Sequence, residues 1–165
     1  MHVTRQVNDM TQTESHSQER ADLVTVTALR IVVGIILATH GALKLSDAQG
    51  TAQGFAHLGI PYSNYAVYLA IAGELLGGVG LAVGLFTRVA AFGVFCTMSV
   101  AIGYAHIGHG LLAQNGGWEY PLTLGVVALF FITHGAGAVS LDALFRARRY
   151  EGPRSYRSGR IRSYS

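Results

Sequence analysis

The stretch from Tyr65 to Arg88, YAVYLAIAGELLGGVGLAVGLFTR, leaves a chain like this few ways to fold. It is apolar for longer than the about 20 residues a helix needs to cross a bilayer. One acid, Glu74, stands about 13 Å along it at 1.5 Å per residue. A carboxylate at that depth must be protonated, paired or close to water. Gly73, Gly77, Gly80 and Gly84 recur at helical spacing, so they line one face, and Glu74 flanks it. Small residues in such a stripe let helix backbones approach closely in lipid. This segment is expected to be the packing spine of the fold, with its acid turned toward other helices.

Three further apolar runs accompany it: Leu23 to Lys44, Val89 to Ile107 and Trp118 to Val139. Charged residues make up 13% of the chain, about half the share of a soluble domain. The expected fold class is therefore an all-α integral membrane protein, a four-helix transmembrane bundle spanning residues 23–142. On the first run Arg30, Gly34, Leu37, Gly41 and Lys44 share a face, with His40 beside it. Ser46 to Asn64 is too polar to cross. Phe55 and Leu58 allow a short interfacial helix there, and Ser63 or Asn64 can cap the next span. The Thr87-Arg88 turn makes the second and third spans antiparallel neighbours. Cys96, Ser99, Gly103, His106 and Gly110 mark an expected packing face on the third. Glu119, Thr123, His134 and Gly137 share a sector of the fourth. The predicted seam is polar inside, with Leu, Val, Ile and Phe toward lipid.

Residues 1–22 are polar and lack the apolar core and cleavage site of a signal peptide, so a disordered cytoplasmic tail is expected. Seven arginines, Arg146, Arg148, Arg149, Arg154, Arg157, Arg160 and Arg162, follow the last apolar run and define a basic tail over 143–165. Positive residues mark the cytoplasmic side. Both termini are thus expected inside, in a multi-pass protein of the cell's inner membrane. Lys44 is the one misplaced positive charge. The tail reads as a topology determinant touching anionic lipid, or as a docking site for a soluble partner, rather than as a nucleic-acid surface. The single cysteine excludes an internal disulfide and a CxxC redox motif. Cys96 is expected to be a small packing residue.

Several segments in order resemble one family. His40-Gly41-Ala42-Leu43-Lys44 closes the first helix, and Leu58-Gly59-Ile60-Pro61 precedes the second. Then come Glu74-Leu75-Leu76-Gly77-Gly78, Gly84-Leu85-Phe86-Thr87-Arg88-Val89-Ala90-Ala91, and Gly135-Ala136-Gly137-Ala138-Val139-Ser140-Leu141-Asp142. Their order and spacing, over roughly Ala28 to Asp142, resemble the DoxX family of small bacterial and archaeal membrane proteins. The resemblance implies the four-helix membrane fold. It also implies association with quinol oxidase or thiosulfate:quinone oxidoreduction, or with membrane complexes that handle thiol and superoxide stress.

The candidate chemistry lies on ionisable residues. Glu74 with Lys44 or His40 could relay protons or bind a quinone carbonyl, or could simply form an interhelical ion pair. His106 and His109, with His40 or Glu119, have the ligand types for a metal or haem, yet no recognised cofactor spacing, so a hydrogen-bonding role is expected and no metal site. Arg30 with His134 reads as a hydrogen-bond network or a quinone-headgroup site. Arg88 with Asp142 reads as a helix-end ion pair. Two functions are expected: a redox-complex subunit with quinone as its cofactor, or a non-catalytic anchor recruiting soluble redox enzymes. The expected partners are the lipid bilayer, other redox proteins and, through the glycine-lined faces, further copies of the chain. A transporter is disfavoured, because no pair of Gly/Pro-interrupted half-helices is evident.

Overall fold

A computed structural model describes residues 2–150, with side chains described for 14–149. Among them the regular structure is all helical. Helix α1 (His2–Ser46) carries the first apolar run. It begins well before Leu23, passing through the polar stretch expected as a tail. Residues 2–33 hold neither Gly nor Pro, so a helix nucleated in the apolar run propagates backwards at little cost per residue. The arginines after Tyr150, and with them most of the basic tail, lie outside the described residues.

Asp47 caps α2 (Ala48–His57), its carboxylate accepting from the Gly50 N–H at 2.9 Å. The chain then turns through Gly59, at φ +75°, and Tyr62, at φ +52°. Helix α3 (Ser63–Ile71) follows, with no side-chain cap. Ser63 is already helical, and the Tyr62 carbonyl accepts from Tyr65 and Ala66 N–H instead. The expected Ser63 or Asn64 cap is thus replaced by the preceding residue's backbone. A π-turn over Ala72–Leu76 joins α3 to α4 (Gly77–Val83), making one continuous second span.

Helix α5 (Thr87–Ala101) runs back and also ends in a π-turn, Ile102–His106. Two short 3-10 turns, Ile107–His109 and Ala113–Asn115, lead to α6 (Glu119–His134). Helix α7 (Leu141–Tyr150) ends the described chain. Among the described residues three helices are long and apolar enough to cross a membrane: Glu14–Ser46, Ser63–Val83 and Thr87–His109. At 16 residues α6 is shorter, about 24 Å at 1.5 Å per residue. It stops before the expected Val139 because Gly135 and Gly137 adopt φ of +78° and +75°, conformations that glycine enters without a Cβ penalty.

The second span is packed on two sides. Toward α5, a Cβ on Gly77 would stand 2.9 Å from Val94 Cγ2 and 3.1 Å from the Ala90 carbonyl oxygen. Toward α1, a Cβ on Gly34 would stand 2.5 Å from Ala82 N and 2.6 Å from Gly78 O, and Gly41 meets Leu75 as closely. The predicted stripe therefore accounts for one of two close contacts. Gly84 leaves it altogether, lying in the turn against Arg30 and Ser140. The glycine faces expected to join copies of the chain are covered within it. Val33, Leu37, Leu81, Val94, Leu124 and Phe131 meet in one core built by all four long elements.

The third span differs from expectation. Cys96, Ser99 and Gly103 face outward, and α5 packs through Ala91, Val94 and Met98. The Ser99 hydroxyl donates to its own helix at the Phe95 carbonyl, 2.8 Å away. A hydroxyl satisfied four residues back needs no partner helix.

Candidate functional site at the Lys44–Glu74 pair

Lys44 lies in the last turn of α1, and Glu74 sits in the π-turn of the second span. The glycine at 41 lets Leu75 approach α1, which carries Glu74 to the Lys44 side chain. Lys44 Nζ donates to Glu74 Oε2 in an ion pair in which the Glu74 side chain is 5% exposed and the Lys44 side chain 25%. A π-turn widens the helix locally and is frequent at functional sites. His40 lies one turn before Lys44, and its Nε2 stands 3.5 Å from the Tyr120 hydroxyl of α6. The two rings are 6.0 Å apart at their centroids.

His40, Lys44, Glu74, His106 and Tyr120 all line a groove of about 1210 Å³. Its other walls are mostly apolar, running along the second and third spans from Ala66 and Tyr104 to Val83 and Val89. The groove thus joins a charged, largely buried pair to an apolar channel between helices. Burying either ion alone in such surroundings costs several kcal/mol, and pairing offsets most of it. The pair can present an ammonium donor and a carboxylate acceptor to the same small polar group. Tyr120, near the start of the fourth apolar run, was not among the candidates the sequence offered. Its place beside His40 depends on α6 packing across the bundle.

The remaining candidates disperse. His106 Nδ1 is 2.7 Å from the Gly116 carbonyl, and the Glu119 carboxylate accepts from Ala113 N–H at 2.6 Å. Both side chains hold the 107–118 loop rather than a common ligand. Among the described residues no group of three or more His, Cys, Asp or Glu side chains could hold a metal ion.

Arg30 does not meet His134. Arg30 is 2% exposed, and its guanidinium donates to the carbonyls of Leu81 at 2.7 Å, Ala82 at 3.3 Å and Val139 at 2.8 Å. It thereby serves the Ala82 carbonyl at the end of α4 and adds a second donor to the Leu81 carbonyl, which also accepts from the Gly84 N–H at 3.1 Å. His134 instead stacks on Phe130 at 4.2 Å, with Nδ1 near Thr133 Oγ1.

The predicted Arg88–Asp142 ion pair is absent among the described contacts. Arg88 donates to the Thr133 carbonyl at 3.1 Å. The Asp142 carboxylate accepts from the N–H groups of Phe86 at 2.8 Å and Thr87 at 2.9 Å, capping α5 from a distant part of the chain. The N-terminus of a helix offers unpaired N–H donors and a positive dipole end, which suit a carboxylate better than a neighbouring guanidinium does. Partial burial pushes the Asp142 carboxyl up. The hydrogen bonds from Thr87 and Phe86 and the Arg146 charge outweigh this and hold it below its ordinary value.

Comparison with known proteins agrees with this architecture. The DoxX family model matches residues 25–107. An uncharacterized protein of Haemophilus influenzae is 36% identical over 71% of this chain and 87% of its own length. "Inner membrane protein YphA" of Escherichia coli is 31% identical over 72% of this chain and 89% of its own. "Putative oxidoreductase CatD" of Bacillus subtilis is 41% identical over 37% of this chain and 44% of its own. No solved structure matches significantly. With half of its length under the family model and relatives that align along most of it, the chain is a membrane protein belonging to the DoxX family.

Proposed function

We propose that the protein is a membrane subunit of a quinone-linked oxidoreductase complex, with the Lys44–Glu74 pair as the point of contact for the quinone headgroup. The observation that carries this reading is the meeting of that buried pair with a long apolar groove. A quinone is a small carbonyl-bearing ring on an apolar tail. Lys44 donates a hydrogen bond to a carbonyl oxygen. Glu74, His40 and Tyr120 supply groups through which protons reach or leave the ring as a partner subunit exchanges electrons with it. The oxidoreductase wording in the name of the Bacillus subtilis relative supports the class of chemistry. In this reading both termini lie in the cytoplasm, with α6 as the fourth crossing, since Arg146, Arg148 and Arg149 follow it.

The test is direct binding. The full chain in lipid nanodiscs is titrated with a short-tailed quinone, alongside the Glu74→Gln variant, whose shape is conserved. The expected result is saturable binding to the wild type and at least about tenfold weaker binding to E74Q, the loss of one charge-assisted contact. Equal affinity for both proteins rejects the site. Solvent extraction of the purified protein should also release bound quinone.

A second reading is a non-catalytic membrane anchor for soluble thiol- or superoxide-stress enzymes. It is favoured by the closure of the ion pair itself: Lys44 already neutralises Glu74, and such a pair can serve to fix the register of two helices.

A further inference from the structure

Helix α7 has no evident place in the quinone site, and its side chains are unlike those of any other described element. Leu141, Leu144 and Phe145 lie at i, i+3 and i+4 and are 36%, 46% and 53% exposed. Arg146 lies on the side away from them, Arg149 follows Phe145 by one turn at the edge of the apolar row, and Arg148 extends that row one turn on. All three arginines are exposed, and none has a carboxylate at ion-pair distance among the described residues.

The start of the helix is held firmly. Ser140 Oγ accepts from Ala143 N–H at 3.1 Å. Asp142 N–H donates to the Gly84 carbonyl at 2.9 Å, while its carboxylate caps α5. The first turn of α7 is therefore tied to the point where one long apolar helix ends at Val83 and the next begins at Thr87. That point is the edge of the hydrocarbon layer for helices of this length. Phe86 and Val89, each 71% exposed, stand at the same level.

We infer that α7 is a membrane-surface helix that binds anionic lipid headgroups. Leu141, Leu144 and Phe145 enter the acyl boundary, and Arg146, Arg148 and Arg149 contact the phosphates. A helix whose first half carries exposed apolar residues, whose second half carries three arginines and which starts at the bilayer edge is matched to a negatively charged lipid surface. Arg148, on the apolar side, reaches the headgroups by extending its stem along the acyl region. The described acids on the polar part of α1 before the first apolar run are Glu14, Glu19 and Asp22; Glu19 stands 3.7 Å from His16. Asp142 is occupied at the α5 cap. The sequence continues the basic character with Arg154, Arg157, Arg160 and Arg162.

The test uses the full chain in nanodiscs of phosphatidylcholine alone or mixed with phosphatidylglycerol, read by amide hydrogen exchange over residues 144–149. The anionic discs should slow exchange there by about tenfold or more, each arginine near such a surface being worth about a factor of five. Concentrated salt should shrink the effect. The R146Q/R148Q/R149Q variant should lose the dependence on lipid charge while exchange in α4 and α5 stays unchanged, which shows that the bundle is intact. Equal exchange in the two kinds of disc overturns the proposal. So does lipid-dependent slowing that survives in the triple variant, or protection that appears only when an acidic soluble protein is added.

Discussion

Asp142 shows how much one side chain can do when it ends a helix other than its own. Its carboxylate holds the N–H of Phe86, just before α5, and of Thr87, its first residue, and its own N–H holds the Gly84 carbonyl. Because its folded value lies below the ordinary one, its stabilising contribution is fully present above about pH 4, the value for an unfolded aspartate. It is lost as pH falls through the folded value. Asp142→Asn keeps the shape but removes the charge. The variant should melt at lower temperature than the wild type at pH 7, and the gap should close as pH is lowered below about 4. Thermal melts in detergent, followed by circular dichroism across that range, check this. A gap that widens in acid contradicts the assignment. Arg30 works at the same scale by binding three carbonyls. Both residues were visible in the sequence as charges near span ends. Their partners were not, because backbone N–H and carbonyl groups leave no mark in a residue pattern.

At the scale of elements, the second span is gripped from both sides, and the grip can be measured. Gly78 meets the backbone of Ala38 and Gly34, so an added Cβ would collide with atoms that cannot swing away. Gly103, on the third span, has nothing within 4 Å of its ideal Cβ position. Gly78→Ala should therefore lower thermal stability by several degrees or abolish folding, since overpacking costs about 1–3 kcal/mol. Gly103→Ala should be neutral or stabilising by up to about 1 kcal/mol, the helix-propensity difference. Equal effects of the two substitutions in melts of the purified proteins would refute the packing described here. The glycine period announced that the second span makes a close contact. Which glycines face which neighbour depends on the rotation of each helix about its axis, and the π-turn at Ala72–Leu76 changes that rotation within the span.

For the whole molecule, three long apolar helices and α6 enclose one core, while the groove opens along the flank of the second and third spans. Deleting residues 146–165 removes the second half of α7 and everything after it, leaving both the core and the groove intact. The shortened chain should still enter the membrane and bind a short-tailed quinone as the full chain does. If the protein is instead an anchor that works through this end, pull-down of soluble redox enzymes with the full chain should succeed and fail after truncation. Loss of quinone binding on truncation would contradict a site at Glu74, which lies in a different part of the bundle.

The sequence by itself determined the membrane-spanning class, the positions of the long apolar helices and the family. Length and hydropathy are properties of the chain alone, and lipid imposes the helix on any such segment. It also made a polar partner for Glu74 expected, with Lys44 or His40 as the candidates, because a buried carboxylate has few tolerable states; the structure chose Lys44. Tertiary structure alone decided that Tyr120 joins His40, that His106 and Glu119 serve a loop, that Arg88 and Asp142 part company, and that Cys96 faces outward. Each of those outcomes follows from how four helices are rotated and spaced against one another. That arrangement is set by which glycines allow contact and which backbone groups still need a partner, and no single helix carries the information.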